Sequence, residues 1–128
     1  MRIVPAVLLR HETRGGGHYD FMLAPRNDGE LVTWRVMRPT WHWTPGMRVD
    51  FRSLPPHRRA YLRREGAVSR GRGWAWRADE GVAAVQFWAE GRMVVDLRMR
   101  RFRGRMELRR LSASRWVGTQ SRAGFILP

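Results

Sequence analysis

His18-Tyr-Asp-Phe-Met-Leu-Ala24 alternates polar and apolar residues, and Glu30-Leu-Val-Thr-Trp-Arg-Val36 does so again beyond the turn-rich Pro25-Arg-Asn-Asp-Gly29. Alternation with period two marks a half-buried strand, and Asp-Gly suits a tight turn with positive φ. The two stretches therefore predict an antiparallel hairpin. Tyr19, Phe21 and Leu23 would share one face, with His18, Asp20 and Met22 on the other. If Asp28-Gly29 forms a two-residue turn, Met22 pairs with Arg35 and the two side chains rise on the same face.

Working outward, residues 3–9 (Ile-Val-Pro-Ala-Val-Leu-Leu) read as a strand, with Pro5 placing it at an edge or near its start. Residues 39–47 are a connection rich in proline and tryptophan, and His42 within it reads as a packed or solvated side chain. Val49–Phe51 suits a short strand, and Leu54-Pro-Pro-His57 a turn leading into extended chain or one helical turn. Gly66–Gly73 reads as a loop. Further strands are expected at 73–78, 82–88, 92–99, 102–111, 115–120 and 124–127, with turns at Asp79-Glu-Gly81 and Glu90-Gly91. Val82, Val85, Phe87, Met93, Val95, Leu97, Met106, Leu108 and Trp116 are core candidates. Many short strands with close-set turns predict an all-β single domain over 1–128. It would be a compact β-barrel of mostly antiparallel strands with little helix.

Composition narrows the function classes. With 43% hydrophobic residues and seven Trp, the chain reads as folded. It has no cysteine, which excludes disulfides, a thiolate nucleophile and Cys-ligated zinc. Nothing approaches a membrane span, and the N-terminal stretch is too short for a signal peptide, so a cytoplasmic protein is expected. The formal net charge is +14 and every basic residue is arginine. Such a field draws polyanions, nucleic acid above all. A GC-rich coding sequence would explain arginine over lysine, but not the shortage of acids.

His11-Glu-Thr-Arg-Gly-Gly-Gly-His18-Tyr-Asp20 gathers two of the four histidines and a carboxylate around a glycine run. His18 and Asp20 leave the same face of a strand, and the glycines let the chain turn back to bring His11 beside them. Two imidazoles and a carboxylate suit a divalent metal with open positions. The alternative is a Gly-rich loop that the histidines merely flank.

These residues also come in a characteristic order: His11, His18-Tyr19-Asp20-Phe21, Leu31…Trp34…Val36, Pro56-His57…Tyr61 and Glu65-Gly66. Phe102-Arg-Gly-Arg-Met-Glu-Leu108 and Trp116 follow. The series resembles the 3′-phosphoesterase domain of bacterial DNA ligase D, which also occurs as small stand-alone proteins. The resemblance covers about His11 to Gln120. It implies a β-barrel with a manganese-dependent site, Zn2+ or another transition metal being the alternative. Such a site removes a 3′-terminal ribonucleoside and then a 3′-phosphate from DNA or RNA ends, in company with a repair ligase or polymerase. It further implies His11, His18 and Asp20 as metal ligands, with His57 and Tyr61 at the scissile phosphate. His57 suits a general acid or phosphate donor, and Tyr61 an electrostatic stabiliser.

The chain departs from that pattern in places. Met22 stands where the motif has arginine, and Leu9 where a polar residue precedes the first histidine. The gap between His11 and His18 is one residue longer, and the family's N-terminal arm does not precede His11. Arg35, as the partner of Met22, is a candidate substitute phosphate ligand. Arg48 and Arg52, upstream of His57, are two more, whereas Arg14, Arg70 and Arg72 read equally well as solvated loop charge. Two other readings compete. His18-x-Asp20 with a distant His57 matches the facial triad of non-haem iron oxygenases. A barrel that kept the shape but lost catalysis would be a nucleic-acid end-binding module.

Overall fold

The computed structural model describes residues 2–25, 29–63, 65–68 and 70–121. Nine strands form one antiparallel sheet: β1 (Arg2–Thr13), β2 (Gly16–Leu23), β3 (Leu31–Val36), β4 (Arg48–His57), β5 (Gly66–Ala67), β6 (Trp74–Ala89), β7 (Arg92–Met99), β8 (Arg103–Arg110) and β9 (Arg115–Ser121). Their order is β1-β2-β3-β4-β9-β8-β7-β6-β5, and β1 pairs with β6 as well, so the sheet closes in a barrel-like ring. Two short 3₁₀ turns, Thr40–His42 and Arg59–Leu62, are the helical segments among the described residues. None of the described helices is long and apolar enough to cross a membrane.

Alternation sorts the side chains by face. Tyr19, Phe21 and Leu23 turn into the ring with Leu8, Trp34, Val36, Phe51, Met93, Val95, Leu97, Met106 and Leu108. Phe21, Trp34, Trp43 and Phe51 meet there with centroids 5.6–6.4 Å apart, the spacing of favourable edge and tilted aromatic pairs. A second apolar cluster lies on the outer face, where Val7, Leu9, Met22, Ala24, Leu31 and Ala75 are covered by Tyr61, Leu62 and Val68. The chain between β4 and β6 is thus folded back over the outside of β1–β3.

Several local expectations need correction. Strand β3 meets β2 with Asp20 opposite Arg35 and Met22 opposite Thr33, two residues away from the expected register. The last pair is Leu23–Val32, so the connection is longer than a two-residue turn; Asp28 itself lies outside the described residues. A two-residue shift preserves the face, so Arg35 remains on the outer side. Pro5 lies near the start of β1, one of the two places expected for it, but not on an edge: it is opposite Val82 of β6, and its carbonyl accepts from the Ala24 N–H just past the end of β2. Leu54–His57 continues β4 rather than turning, with a bulge that accommodates the prolines. Gly66–Ala67 is a short strand rather than loop.

Asp79-Glu-Gly81 is not a turn either, because β6 runs straight through it. Asp79 is buried and its carboxylate accepts from Thr40 Oγ1 (2.5 Å), the Glu80 N–H (2.9 Å) and the Arg101 N–H (2.8 Å). Gly81 lies against the Arg98 carbonyl of β7, where a Cβ would collide with backbone. These turn-type residues serve cross-strand packing. Phe87 and Val82 are exposed, Phe87 beside a register shift between β6 and β7. The strand expected at 124–127 lies outside the described residues.

Gly81→Ala is therefore expected to lower unfolding stability by about 1–3 kcal/mol, since backbone must move to admit the methyl group. Urea denaturation would show it; an unchanged midpoint would mean that β6 and β7 are not packed this closely.

Candidate phosphate and metal site on the outer sheet face

The hairpin between β1 and β2 turns at Arg14-Gly15, with Thr13 Oγ1 donating to the Gly16 carbonyl (2.6 Å) and Gly16 at φ 120°. That register sets His11 directly opposite His18, and their rings meet edge-on with centroids 5.0 Å apart. Asp20 follows on the outer face, and the end of β4 delivers His57 from the other side. His18 Nε2 lies 3.4 Å and His57 Nε2 3.6 Å from Asp20 Oδ2. Tyr61 stands against His57, ring centroids 5.4 Å apart. All five side chains line one cavity of about 230 Å³, with Arg35, Arg72 and the apolar Leu9, Val68 and Ala75.

The Asp20 carboxylate is 2% exposed. Burial pushes its pKa up, but the hydrogen bonding and charge of His18 and His57 more than reverse that, bringing it to about 2. His57 moves the other way. The Asp20 carboxylate raises its pKa, against the opposing effects of burial and Arg35. Nδ1 of His57 lies 3.1 Å from the Pro55 carbonyl and so donates to it, which leaves Nε2 facing Asp20.

The polar groups here are crowded without being fully matched. Arg35 Nη2 lies 3.2 Å from His18 Nε2. The same nitrogen faces Oδ2 of Asp20. Oδ1 of Asp20 is buried with no hydrogen-bond partner, and so is Arg35 Nε, 3.8 Å away. An imidazole nitrogen converging with an unsatisfied carboxylate oxygen suits a bound cation, and Arg35 fills that role in part.

Imidazole nitrogen with carboxylate oxygen is the donor chemistry of Mn(II) or Zn(II). His18 and Asp20 already converge. His11 is held aside, its Nε2 bonded to the Arg72 carbonyl at 2.5 Å, and no three acidic or imidazole groups among the described residues form a ready-made metal cluster. For His11 to join the pair it must exchange that carbonyl for the ion.

The remaining candidates are spread out. Arg52 lies opposite Arg35 in the neighbouring groove, and Arg48 sits further along β4 opposite Thr119, outside the cavity. His42 is exposed in the first 3₁₀ turn. Arg72, read from sequence as loop charge, lines the cavity and supplies the carbonyl that holds His11; no spacing signal marked it.

Leu9 and Met22 are both buried in the outer apolar cluster. They share one apolar surface with Tyr61, Leu62 and Val68. No protein family and no curated protein matches this chain.

Returning arginine to position 22 alone, as Met22→Arg, would bury a guanidinium among Val7, Leu9 and Leu31. The expected loss is about 2–4 kcal/mol, with partial recovery when Leu9→Gln is added. Thermal or urea unfolding of the single and double variants measures it, and a fully stable Met22→Arg would sink the packing account.

Proposed function

We propose that the chain is a divalent-metal-dependent 3′-end-healing phosphoesterase that acts on DNA or RNA termini, removing a 3′-ribonucleoside, a 3′-phosphate or both. The observation that carries this reading is the buried, ionised Asp20 with an unpartnered oxygen, flanked by His18 and His57 and facing Arg35. The motif order shared with the DNA ligase D phosphoesterase domain and the net charge of +14 support it. Asp20 and His18, joined by His11, would hold the ion, manganese on the family pattern. When bound, it supplies polarisation of a phosphoryl oxygen, activation of water and neutralisation of charge.

The chain's own groups do the rest. Arg35 offers a charged donor to the non-bridging oxygens of the phosphate. His57, oriented by Pro55 and with its protonated form favoured by Asp20, gives its proton to the leaving oxygen. Tyr61, which lines the same cavity against His57, offers its hydroxyl to developing negative charge. The apolar wall of Leu9, Val68 and Ala75 excludes water from one side and strengthens these interactions.

The test is an end-processing assay on a labelled primer–template carrying one 3′-ribonucleotide, with a 3′-phosphate version alongside, in manganese, zinc or chelator. Shortening or dephosphorylation is expected only with metal, and it should disappear in Asp20→Ala. His57→Ala should slow the reaction by about 10²–10⁴-fold, the usual range for a lost general acid.

Two other results would replace the proposal. Salt-dependent binding without product, indifferent to chelator, identifies an end-binding module. His18, Asp20 and His57 are the trio a facial-triad oxygenase would use, so oxygen consumption with Fe(II) and 2-oxoglutarate would identify that enzyme instead.

A further inference from the structure

The registers of four adjacent strands place Asp20, Arg35, Arg52 and Arg115 in one row across the sheet. Asp20 pairs with Arg35, Arg35 with Arg52, and Arg52 with Arg115. All four lie on the outer face, because Phe21, Trp34, Phe51 and Trp116 beside them in sequence pack inward. Three arginines directly opposite one another on neighbouring strands repel, an arrangement that weakens a sheet unless something anionic lies over it.

Elsewhere several of the sheet's arginines are paired with acids. Arg92 and Arg109 share Glu107, Arg105 is bound to Asp96, and Arg110 to Glu90. No ion pair or hydrogen bond engages the side chain of Arg52 or Arg115 among the described residues. Asp50, the one acid in their groove, makes no ion pair with either.

The groove beside the row, about 380 Å³, is lined by Arg35, Arg52, Arg115, Asp50 and Met37, with Phe51 and Trp116 along β4 and β9 beneath them. It shares Arg35 with the site cavity, so the two adjoin at that residue. On the other side of Asp20 its partner on β1 is Leu9, packed with Val68 and Ala75. Along the row the surface is therefore cationic on one side of Asp20 and apolar on the other, while a second basic opening with Arg58, Arg70 and Arg72 adjoins the cavity at His57 and Tyr61. Along the row, that shape accepts the end of a chain and leads the rest away over the arginines.

We infer that the nucleic-acid strand bearing the processed end crosses the sheet along Arg35, Arg52 and Arg115, with its terminal group stopped against Leu9, Val68 and Ala75. This rests on the phosphoesterase reading and adds to it the path of the substrate and the residue furthest along it, Arg115. Strands lie about 4.8 Å apart, so the arginine row spans about 10 Å, or about three stacked nucleotides at 3.4 Å each. Met37, 74% exposed at the rim of the groove, offers a base an apolar surface.

The experiment compares 3′-phosphorylated DNA oligonucleotides of two and eight nucleotides with manganese, for the wild-type protein, Arg115→Gln and Arg103→Gln. Arg103→Gln removes the same charge from the far end of β8. Arg115→Gln is expected to raise KM for the octanucleotide about five- to tenfold and to lower the salt dependence of that KM by about 0.7 in log–log slope. The effect should vanish for the dinucleotide, which ends before Arg115. Arg103→Gln should stay within about twofold on both, as an exposed charge off the path. An octanucleotide KM unchanged by Arg115→Gln, or a loss equal for both lengths, overturns the track while leaving the enzyme assignment standing. Failure of the wild-type protein to process either length overturns that assignment, and the track falls with it.

Discussion

Closure of the ring through β1 and β6 is the constraint on which the rest of the structure depends. β1 is paired along both sides, with β2 from Ala6 to Thr13 and with β6 from Arg2 to Glu12. Each of its residues is therefore committed to one face. Val4, Ala6 and Leu8 fill the ring, whereas Val7, Leu9 and His11 stand outside it. Closure leaves the two-residue β5 as the terminal strand of the sheet among the described residues, a short edge that offers little template for aggregation. β6 can span this closure only by staying continuous through Asp79–Gly81. The bulge near Leu8 and Leu9 and the hydrogen bonds gathered by Asp79 make that possible.

The outer face of β1–β3 acquires its chemistry from a second, smaller core. Leu9, Met22 and Leu31 are fully buried although they lie outside the ring, because the chain after His57 folds back across them. That cover sets the dielectric around Asp20. A carboxylate so buried would normally protonate, yet two imidazoles keep it ionised. The same cover suits Met22 and Leu9: an arginine at either place would have to be buried under Val68 and Leu62.

Charge gives the site its direction. The acids of this chain are few, and several are spent in local pairs on β6, β7 and β8. Arg52 and Arg115, on β4 and β9, pair with no acid among the described residues, so unpaired positive charge stands beside Asp20 and Arg35. The basic composition is thus converted by strand register into a row of arginines leading to the cavity.

Alternation marked most of the strands and the inner and outer faces of β2, because a period of two is a property of the local chain, but it missed β5 and most of β4. The same reading placed His18 and Asp20 together and excluded long helices. Register was not legible. Asp28-Gly29 suggested Met22 opposite Arg35, but burial of Phe21, Trp34 and Phe51 inside the ring and of Met22 and Leu31 outside it selects Asp20 opposite Arg35. Turn propensity also misread Asp79–Gly81 and Leu54–His57, since partners distant in sequence outweigh it at both. The sequence by itself determined an all-β chain with a polar outer stripe and a large positive charge. Only the tertiary structure decided that His57 reaches Asp20, that Arg72 holds His11, and that Arg35, Arg52 and Arg115 form a row, because each joins residues whose separation along the chain carries no local signal.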